Sequence, residues 1–137
     1  MNRQELMKLA LEARERSYSP YSNYRVGAAL LGESGTVYLG CNVENAAYSP
    51  GICAERTAFV KAVSEGERNF RAIAIVGGPA KGAPETAPPC GVCRQVMMEF
   101  CNPDTFEIVL GTGPKDCGSY TLAELLPQGF GPGNLKK

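Results

Sequence analysis

Two short cysteine-containing stretches place the strongest constraint on the fold of this 137-residue chain. The first runs Cys-Ala-Glu-Arg from Cys53, and the second runs Pro-Cys-Gly-Val-Cys and contains Cys90 and Cys93. Three thiolates are enough to hold one zinc ion with its fourth position open. The fold is therefore expected to bring these two distant segments together at one point.

Histidine is absent from the chain. Its absence excludes Ser-His-Asp and Cys-His mechanisms, HExxH metalloproteases and every zinc site that needs an imidazole ligand. The N-terminus lacks the pattern of a signal peptide, so a cytoplasmic location is expected. In that reducing compartment the six cysteines are expected to be core residues, metal ligands or reactive thiols, and any transition metal should bind through thiolates.

The composition favours a small ligand. The formal net charge is zero, which gives no electrostatic reason to expect nucleic acid as a partner. No apolar run is long enough to span a bilayer, so no membrane partner is expected. The length corresponds to a single domain, 1–137, that buries its own core.

Hydrophobic periodicity predicts alternating helices and strands. Helices are predicted at 4–16, 53–65, 92–101 and 121–126, strands at 26–30, 36–41, 72–76 and 106–110, and a loop at 111–120. The continuous apolar run at 72–76 is typical of a strand covered on both faces and is the best candidate for the central strand. Both cysteine stretches are thus predicted to lie at helix N-termini.

The three cysteines and Glu55 have the composition of a catalytic zinc site. An open position on zinc turns water into a nucleophile at neutral pH. Glu55 lies next to a ligand without sharing its role, so its expected function is proton transfer, against the alternative of a surface glutamate. Arg56 is expected either to donate to a sulfur in support of the metal site or to be a solvated helix residue.

The combination of motifs resembles the short, homotetrameric type of cytidine deaminase, and it matches the signature of zinc deaminases with a non-ligand glutamate. The resemblance rests on Pro-Tyr-Ser-Asn-Tyr at 20–24, Val-Gly-Ala-Ala-Leu at 26–30, Asn-Val-Glu-Asn-Ala at 42–46, Cys-Ala-Glu-Arg at 53–56, Pro-Cys-Gly-Val-Cys-Arg-Gln at 89–95 and Leu-Leu-Pro-x-x-Phe at 125–130. It implies an α/β fold, a three-layer α/β/α sandwich on a mixed five-stranded sheet. It also implies zinc as the cofactor and hydrolytic deamination of cytidine and deoxycytidine in pyrimidine salvage.

The same resemblance implies roles for residues around the zinc site. Asn42 and Glu44 are expected to bind sugar hydroxyls, which suits an amide and a carboxylate. Glu55 and the backbone of Ala54 are expected to contact the edge of the base. Cys53, together with the two cysteines of the second stretch, is expected to hold the metal.

Residues further from the metal also receive roles from the resemblance. Tyr24 is expected to pack against the base where the family usually has phenylalanine, and Arg25 stands where proline is common. Ala46, Tyr48 and Phe130 are expected to lie against a neighbour's active site in a homotetramer, with the tail from about residue 127 making that contact.

Three alternatives stay open at this point. A deaminase for another aminopyrimidine nucleoside, such as blasticidin S, shares the metal signature, although Asn42 and Glu44 favour a plain ribose or deoxyribose. A binding module with a closed structural zinc site would recruit Cys41, Cys101 or Cys117 as the fourth ligand. A nucleic-acid deaminase would also share the signature, but the expected basic surface is missing.

Overall fold

The computed structural model describes residues 1–136, which form a five-stranded sheet with helices on both faces. The α-helices are α1 (Arg3–Arg14), α2 (Ala54–Ser64), α3 (Gly91–Phe100) and α4 (Leu122–Leu125). The strands are β1 (Gly27–Gly32), β2 (Val37–Cys41), β3 (Phe70–Val76), β4 (Glu107–Gly113) and β5 (Asp116–Thr121). A short 3-10 helix (Pro132–Asn134) lies in the tail. Within residues 1–136, no helix has the length and apolar composition that crossing a membrane requires.

The sheet is mixed, with strand order β2-β1-β3-β4-β5. The pair β3 and β4 is parallel, and every other neighbouring pair is antiparallel. The central position of β3 confirms the prediction made from its apolar run. Only Arg71 of this strand is exposed, because helices cover both of its faces.

Side chains that alternate along β3 divide the core into two layers. Ile73 and Ile75 pack with residues of α2, α3 and α4 on one face, whereas Ala74 and Val76 pack against α1 on the other. This alternation follows from the pleat of a strand, which points successive side chains to opposite faces. The result is the expected three-layer α/β/α sandwich.

The segment 111–120, predicted to be a loop, instead contributes most of the edge strand β5. This prediction was wrong because β5 has no apolar alternation of its own. Gly118 and Ser119 pair with Leu110 and Val109 of β4, and the strand is held by that ladder. Strand formation here depends on the neighbour, as is common for short polar edge strands.

A close helix-strand contact holds the start of α2 against the sheet. A Cβ atom at Gly40 in β2 would lie 2.4 Å from the Ala54 carbonyl oxygen and 2.6 Å from the Ala58 nitrogen. Only glycine leaves room for backbone at that distance. Gly40 therefore sets the position from which Cys53 and Glu55 project.

Candidate active site

The sulfur atoms of Cys53, Cys90 and Cys93 form one compact cluster. The Sγ atom of Cys90 lies 3.8 Å from that of Cys53 and 3.5 Å from that of Cys93, and all three sulfurs lie within 4.8 Å of one another. Tetrahedral zinc with Zn–S bonds of about 2.3 Å requires sulfur separations of about 3.8 Å, so the donor set fits this ion. Within residues 1–136, no fourth Cys, Asp or Glu belongs to the cluster.

The closed four-cysteine alternative therefore lacks support from the geometry. Cys41, Cys101 and Cys117 are free thiols that lie outside the cluster. Cys41 donates to the Arg16 carbonyl, Cys117 donates to the Pro114 carbonyl, and Cys101 is buried in the core. A zinc ion held by these three thiolates alone would have a fourth position open, as catalytic zinc sites do.

Helix N-termini position the ligands. Cys53 is the N-cap of α2, Cys90 is the N-cap of α3, and Cys93 lies in the first turn of α3, as the sequence predicted. Free backbone N–H groups at a helix N-terminus favour a thiolate over a thiol. Hydrogen bonding with Cys93 and then with Arg56 lowers the pKa of Cys53 to about 5.

Arg56 lies against the cluster and not in bulk solvent. Its Nη2 donates to Sγ of Cys53 over 3.5 Å, and its Nε is buried without a partner among residues 1–136. Three thiolates around a divalent ion carry one net negative charge, which the guanidinium offsets. This contact supports the predicted role of Arg56 at the metal site.

Glu55 is a buried carboxyl group beside the cluster, with a relative exposure of 4%. It lies in the first turn of α2, two residues after the ligand Cys53, and burial raises its pKa to about 7. A carboxyl group with such a pKa can both accept and return a proton near neutral pH. The alternative of a surface glutamate is inconsistent with this burial.

A cavity of about 490 Å³ joins these groups to the predicted sugar-binding residues. Its lining includes Tyr24, Asn42, Glu44, Cys53, Ala54, Glu55, Arg56 and Cys90. The volume falls within the range of small-molecule sites. The fold thus brings most of the predicted site residues to one pocket.

Asn42 reaches the cavity with its amide already oriented by the protein. Its Oδ1 accepts from the Val26 N–H over 2.9 Å and from the Ser17 hydroxyl, while its Nδ2 donates to the Tyr24 carbonyl over 2.9 Å. An amide oxygen has two acceptor positions and the NH₂ group has two donors. Asn42 therefore has one N–H left to offer a ligand.

Glu44 is held in a similar way by the loop that contains Tyr21 and Ser22. Its Oε1 accepts from the N–H groups of Tyr21 and Ser22 over 3.0 and 3.1 Å, and its Oε2 accepts from the Ser22 hydroxyl. These bonds, led by that of the hydroxyl, lower the pKa of Glu44. The carboxylate keeps acceptor capacity on Oε2.

Tyr24 forms one wall of the cavity. A Cβ atom at Gly77 would lie 2.8 Å from its hydroxyl, so the hydroxyl is packed against the backbone at the end of β3. The following residue, Arg25, donates its N–H to the Gly78 carbonyl over 2.8 Å, a bond that proline cannot make. The two departures from the family pattern are therefore accommodated by the same loop.

Three predicted residues lie outside this cavity in the single chain. Ala46 and Tyr48 line a second cavity, which Glu44 shares, and the relative exposure of Tyr48 is 98%. Phe130 has an exposure of 57%, and its carbonyl accepts from Gln95 Nε2 over 2.7 Å. Their roles at a neighbour's site stay predictions.

Three residues that the sequence did not predict, Ser17, Ser22 and Arg14, support the cavity from behind. Ser17 contacts Asn42, and Ser22 contacts Glu44. Ser22 belongs to the motif at 20–24, but no sequence signal indicates that either serine holds a side chain of the cavity. Arg14 is buried and donates to the carbonyls of Gly77 and Pro79 over 3.0 and 2.8 Å. Arg14 could have been identified from the sequence, because it is a charged residue on the apolar face of an amphipathic helix.

A family model described as "Cytidine and deoxycytidylate deaminase zinc-binding region" matches residues 1–109, which include all three clustered cysteines. The chain belongs to this family. Its resident metal is accordingly zinc, held by Cys53, Cys90 and Cys93.

Members of the cytidine and deoxycytidylate deaminase family match nearly the whole chain. Cytidine deaminase of Sporosarcina psychrophila is 48% identical over 98% of this chain and 96% of the relative. Cytidine deaminase of Halalkalibacterium halodurans is 50% identical over 95% of each. The crystal structure of cytidine deaminase from Burkholderia pseudomallei superposes with a TM-score of 0.85 at 45% identity, covering 95% of this chain and 100% of that one. The cytidine deaminase-like fold is thereby confirmed.

Proposed function

We propose that the chain catalyses the hydrolytic deamination of cytidine and deoxycytidine to uridine and deoxyuridine, with release of ammonia, in pyrimidine salvage. The observation that carries this proposal is the buried Glu55 carboxyl group beside a three-thiolate cluster, in one cavity with Asn42 and Glu44. Relatives that match nearly the whole chain are cytidine deaminases, which supports the same activity.

Glu55 carries the proton transfers of the proposed reaction. When bound, zinc supplies Lewis acidity that makes a water molecule nucleophilic at neutral pH. Glu55 accepts the proton that water loses and delivers it to N3 of cytosine as the water oxygen attacks C4. Glu55 then takes the remaining proton from the new C4 hydroxyl and passes it to the amine, so that the C4–N bond breaks, ammonia leaves and the C4 carbonyl forms. The pKa of about 7 suits a group that must both accept and donate.

The groups that line the cavity favour a nucleoside over a nucleotide. Asn42 offers a donor and Glu44 an acceptor, so that a sugar hydroxyl can accept from one and donate to the other. Arg56 is the only cationic side chain among the lining residues, and it faces the Cys53 sulfur. A phosphate would meet the carboxylate of Glu44 without an available cation.

Ammonia release from cytidine by the wild type and by Glu55→Gln tests the proposal. The variant should retain its zinc and lose nearly all turnover, because an amide cannot transfer the proton. Glu65→Gln, which changes an exposed glutamate just after the same helix, is the matched control and should retain activity. Turnover by Glu55→Gln at the wild-type rate would contradict the proposal.

Substrate comparison separates the alternatives. Cytidine and deoxycytidine should be turned over in preference to blasticidin S, and a single-stranded oligonucleotide should neither bind at physiological salt nor be deaminated.

The triple replacement of Cys41, Cys101 and Cys117 by serine or alanine should leave zinc bound. Loss of zinc in that variant, with the fold retained, would favour a closed structural site instead.

We further propose that residues 1–137 act as one domain within a homotetramer whose active sites lie at subunit interfaces, with the tail from about residue 127 reaching a neighbour. The exposure of Tyr48 and Phe130 supports this arrangement. Light scattering should give four times the chain mass. Mixed oligomers of Glu55→Gln and Phe130→Ala subunits should regain activity, because some sites then combine an intact Glu55 with a neighbour's intact Phe130. A monomeric mass would refute the proposal.

We propose a cytoplasmic location, because the thiolate ligands need a reducing compartment. The six cysteines are all free thiols, which agrees with it. Fractionation of cells that express the tagged chain tests this location.

A further inference from the structure

The hydroxyl group of Ser22 joins the sugar side of the cavity to the base side. Its oxygen accepts a hydrogen bond from the Tyr24 N–H over 3.0 Å and lies within hydrogen-bond distance of Glu44 Oε2. A backbone N–H only donates, so the Ser22 oxygen must accept there, and its single proton is left for the carboxylate. The direction of both hydrogen bonds is thereby fixed.

The backbone of Tyr24 is held on both sides of the residue by groups that face the sugar. Ser22 accepts from its N–H, and the Nδ2 of Asn42 donates to its carbonyl over 2.9 Å. A displacement of the carboxylate of Glu44 would therefore be transmitted through Ser22 to the aromatic wall of the cavity.

Only one of the contacts on Glu44 depends on the side chain of Ser22. The N–H groups of Tyr21 and Ser22 hold Oε1 and persist when the side chain changes. The hydroxyl alone holds Oε2, the oxygen that retains acceptor capacity for a ligand. Removal of the hydroxyl leaves the carboxylate attached at one oxygen and free to rotate about it.

We propose that Ser22 is a positioning residue, which fixes Glu44 for the sugar hydroxyl and ties it to the backbone of Tyr24. This inference rests on the proposed function, because the readout is nucleoside turnover. It concerns Ser22 alone, and the activity of the wild type on cytidine tests the proposed function separately.

Kinetics of Ser22→Ala and Ser22→Thr with cytidine and with 2′,3′-dideoxycytidine test the role. With cytidine, Ser22→Ala should lower kcat/KM by about tenfold, mainly through KM, as expected for one lost hydrogen bond to a charged group. Ser22→Thr keeps the hydroxyl and should restore kcat/KM to within about threefold of the wild type. With the dideoxy analogue, which offers Glu44 no ring hydroxyl, the effect of Ser22→Ala should largely vanish.

Ser34→Ala is the matched control. Ser34 is an exposed serine in the β1–β2 turn, and its hydroxyl donates to the Glu67 carboxylate as that of Ser22 does to Glu44. This variant should have the wild-type kcat/KM with both substrates. Unchanged KM for cytidine in Ser22→Ala would overturn the inference. An equal loss on both substrates without rescue by Ser22→Thr would also overturn it, since that pattern indicates general damage to the loop.

Discussion

The Nη2 atom of Arg56 lies 3.5 Å from the Sγ atom of Cys53, one helical turn from the ligand that it faces. Cys53 is the N-cap of α2 and Arg56 lies in the first turn of this helix, so the helix start holds the two groups together. Their contact opposes the negative charge that three thiolates impose on a zinc site.

Arg56→Gln should weaken zinc binding. Loss of a charged hydrogen-bond donor to a ligand typically costs about 10- to 100-fold in metal affinity. Competition with a chromogenic chelator measures the affinity. Arg71→Gln is the control, because Arg71 forms an exposed pair with Glu33 far from the cluster. Equal zinc affinity in the wild type and Arg56→Gln would contradict the assigned role.

Acidification should release zinc. The pKa of Cys53 is lowered to about 5, first by Cys93 and then by Arg56. A group with a lowered pKa stabilises the fold while it is ionised, so this contribution is present above the unfolded pKa and is lost as the pH falls through about 5. Metal ligands must be deprotonated and bound zinc opposes their protonation, so zinc should leave only as the pH falls below this interval. Zinc content and melting temperature across a pH series measure both effects; full zinc retention at strongly acidic pH would contradict them.

Gly40→Ala should destabilise the chain and disturb the metal site. Its new Cβ would lie 2.4 Å from the Ala54 carbonyl oxygen and push α2 away from β2. Such overpacking costs about 1 to 3 kcal/mol in the free energy of unfolding. Gly118→Ala is the control, because a Cβ at Gly118 would have no neighbour within 4 Å. Urea denaturation should show a lower free energy of unfolding for Gly40→Ala than for Gly118→Ala, and its zinc content should also be lower. Equal stability of the two variants would refute the close contact.

Tyr24→Phe should retain activity, whereas Tyr24→Ala should lose it. The Tyr24 hydroxyl packs against Gly77, so its removal leaves the aromatic face in the cavity. If Tyr24 packs against the base as predicted, removal of the ring loses that stacking, which is worth about 1 to 3 kcal/mol. Steady-state kinetics with cytidine measure the difference. A large loss in Tyr24→Phe would mean that the hydroxyl itself contacts the substrate.

Much of the fold can be predicted from hydrophobic periodicity, and the predictions that were wrong have a physical cause. The apolar run of β3 identified the central strand because both of its faces are buried. The edge strand β5 was missed because a polar segment gains its hydrogen bonds from β4 and shows no pattern of its own. A strand with buried side chains leaves an apolar pattern in the local sequence and can be predicted from it. A strand held only by its hydrogen bonds to a neighbour leaves no such pattern.

The sequence by itself determined the chemistry of the site. Without histidine, a metal ligand set had to come from thiols, and the spacing around Cys53 and Cys90 placed them at helix starts with Glu55 beside them. Only the tertiary structure decided how these groups are held. The bonds from Ser22 to Glu44 and from Asn42 to Tyr24 join residues that are distant in the chain. Such contacts depend on how the loops pack on the sheet, and no local pattern records them.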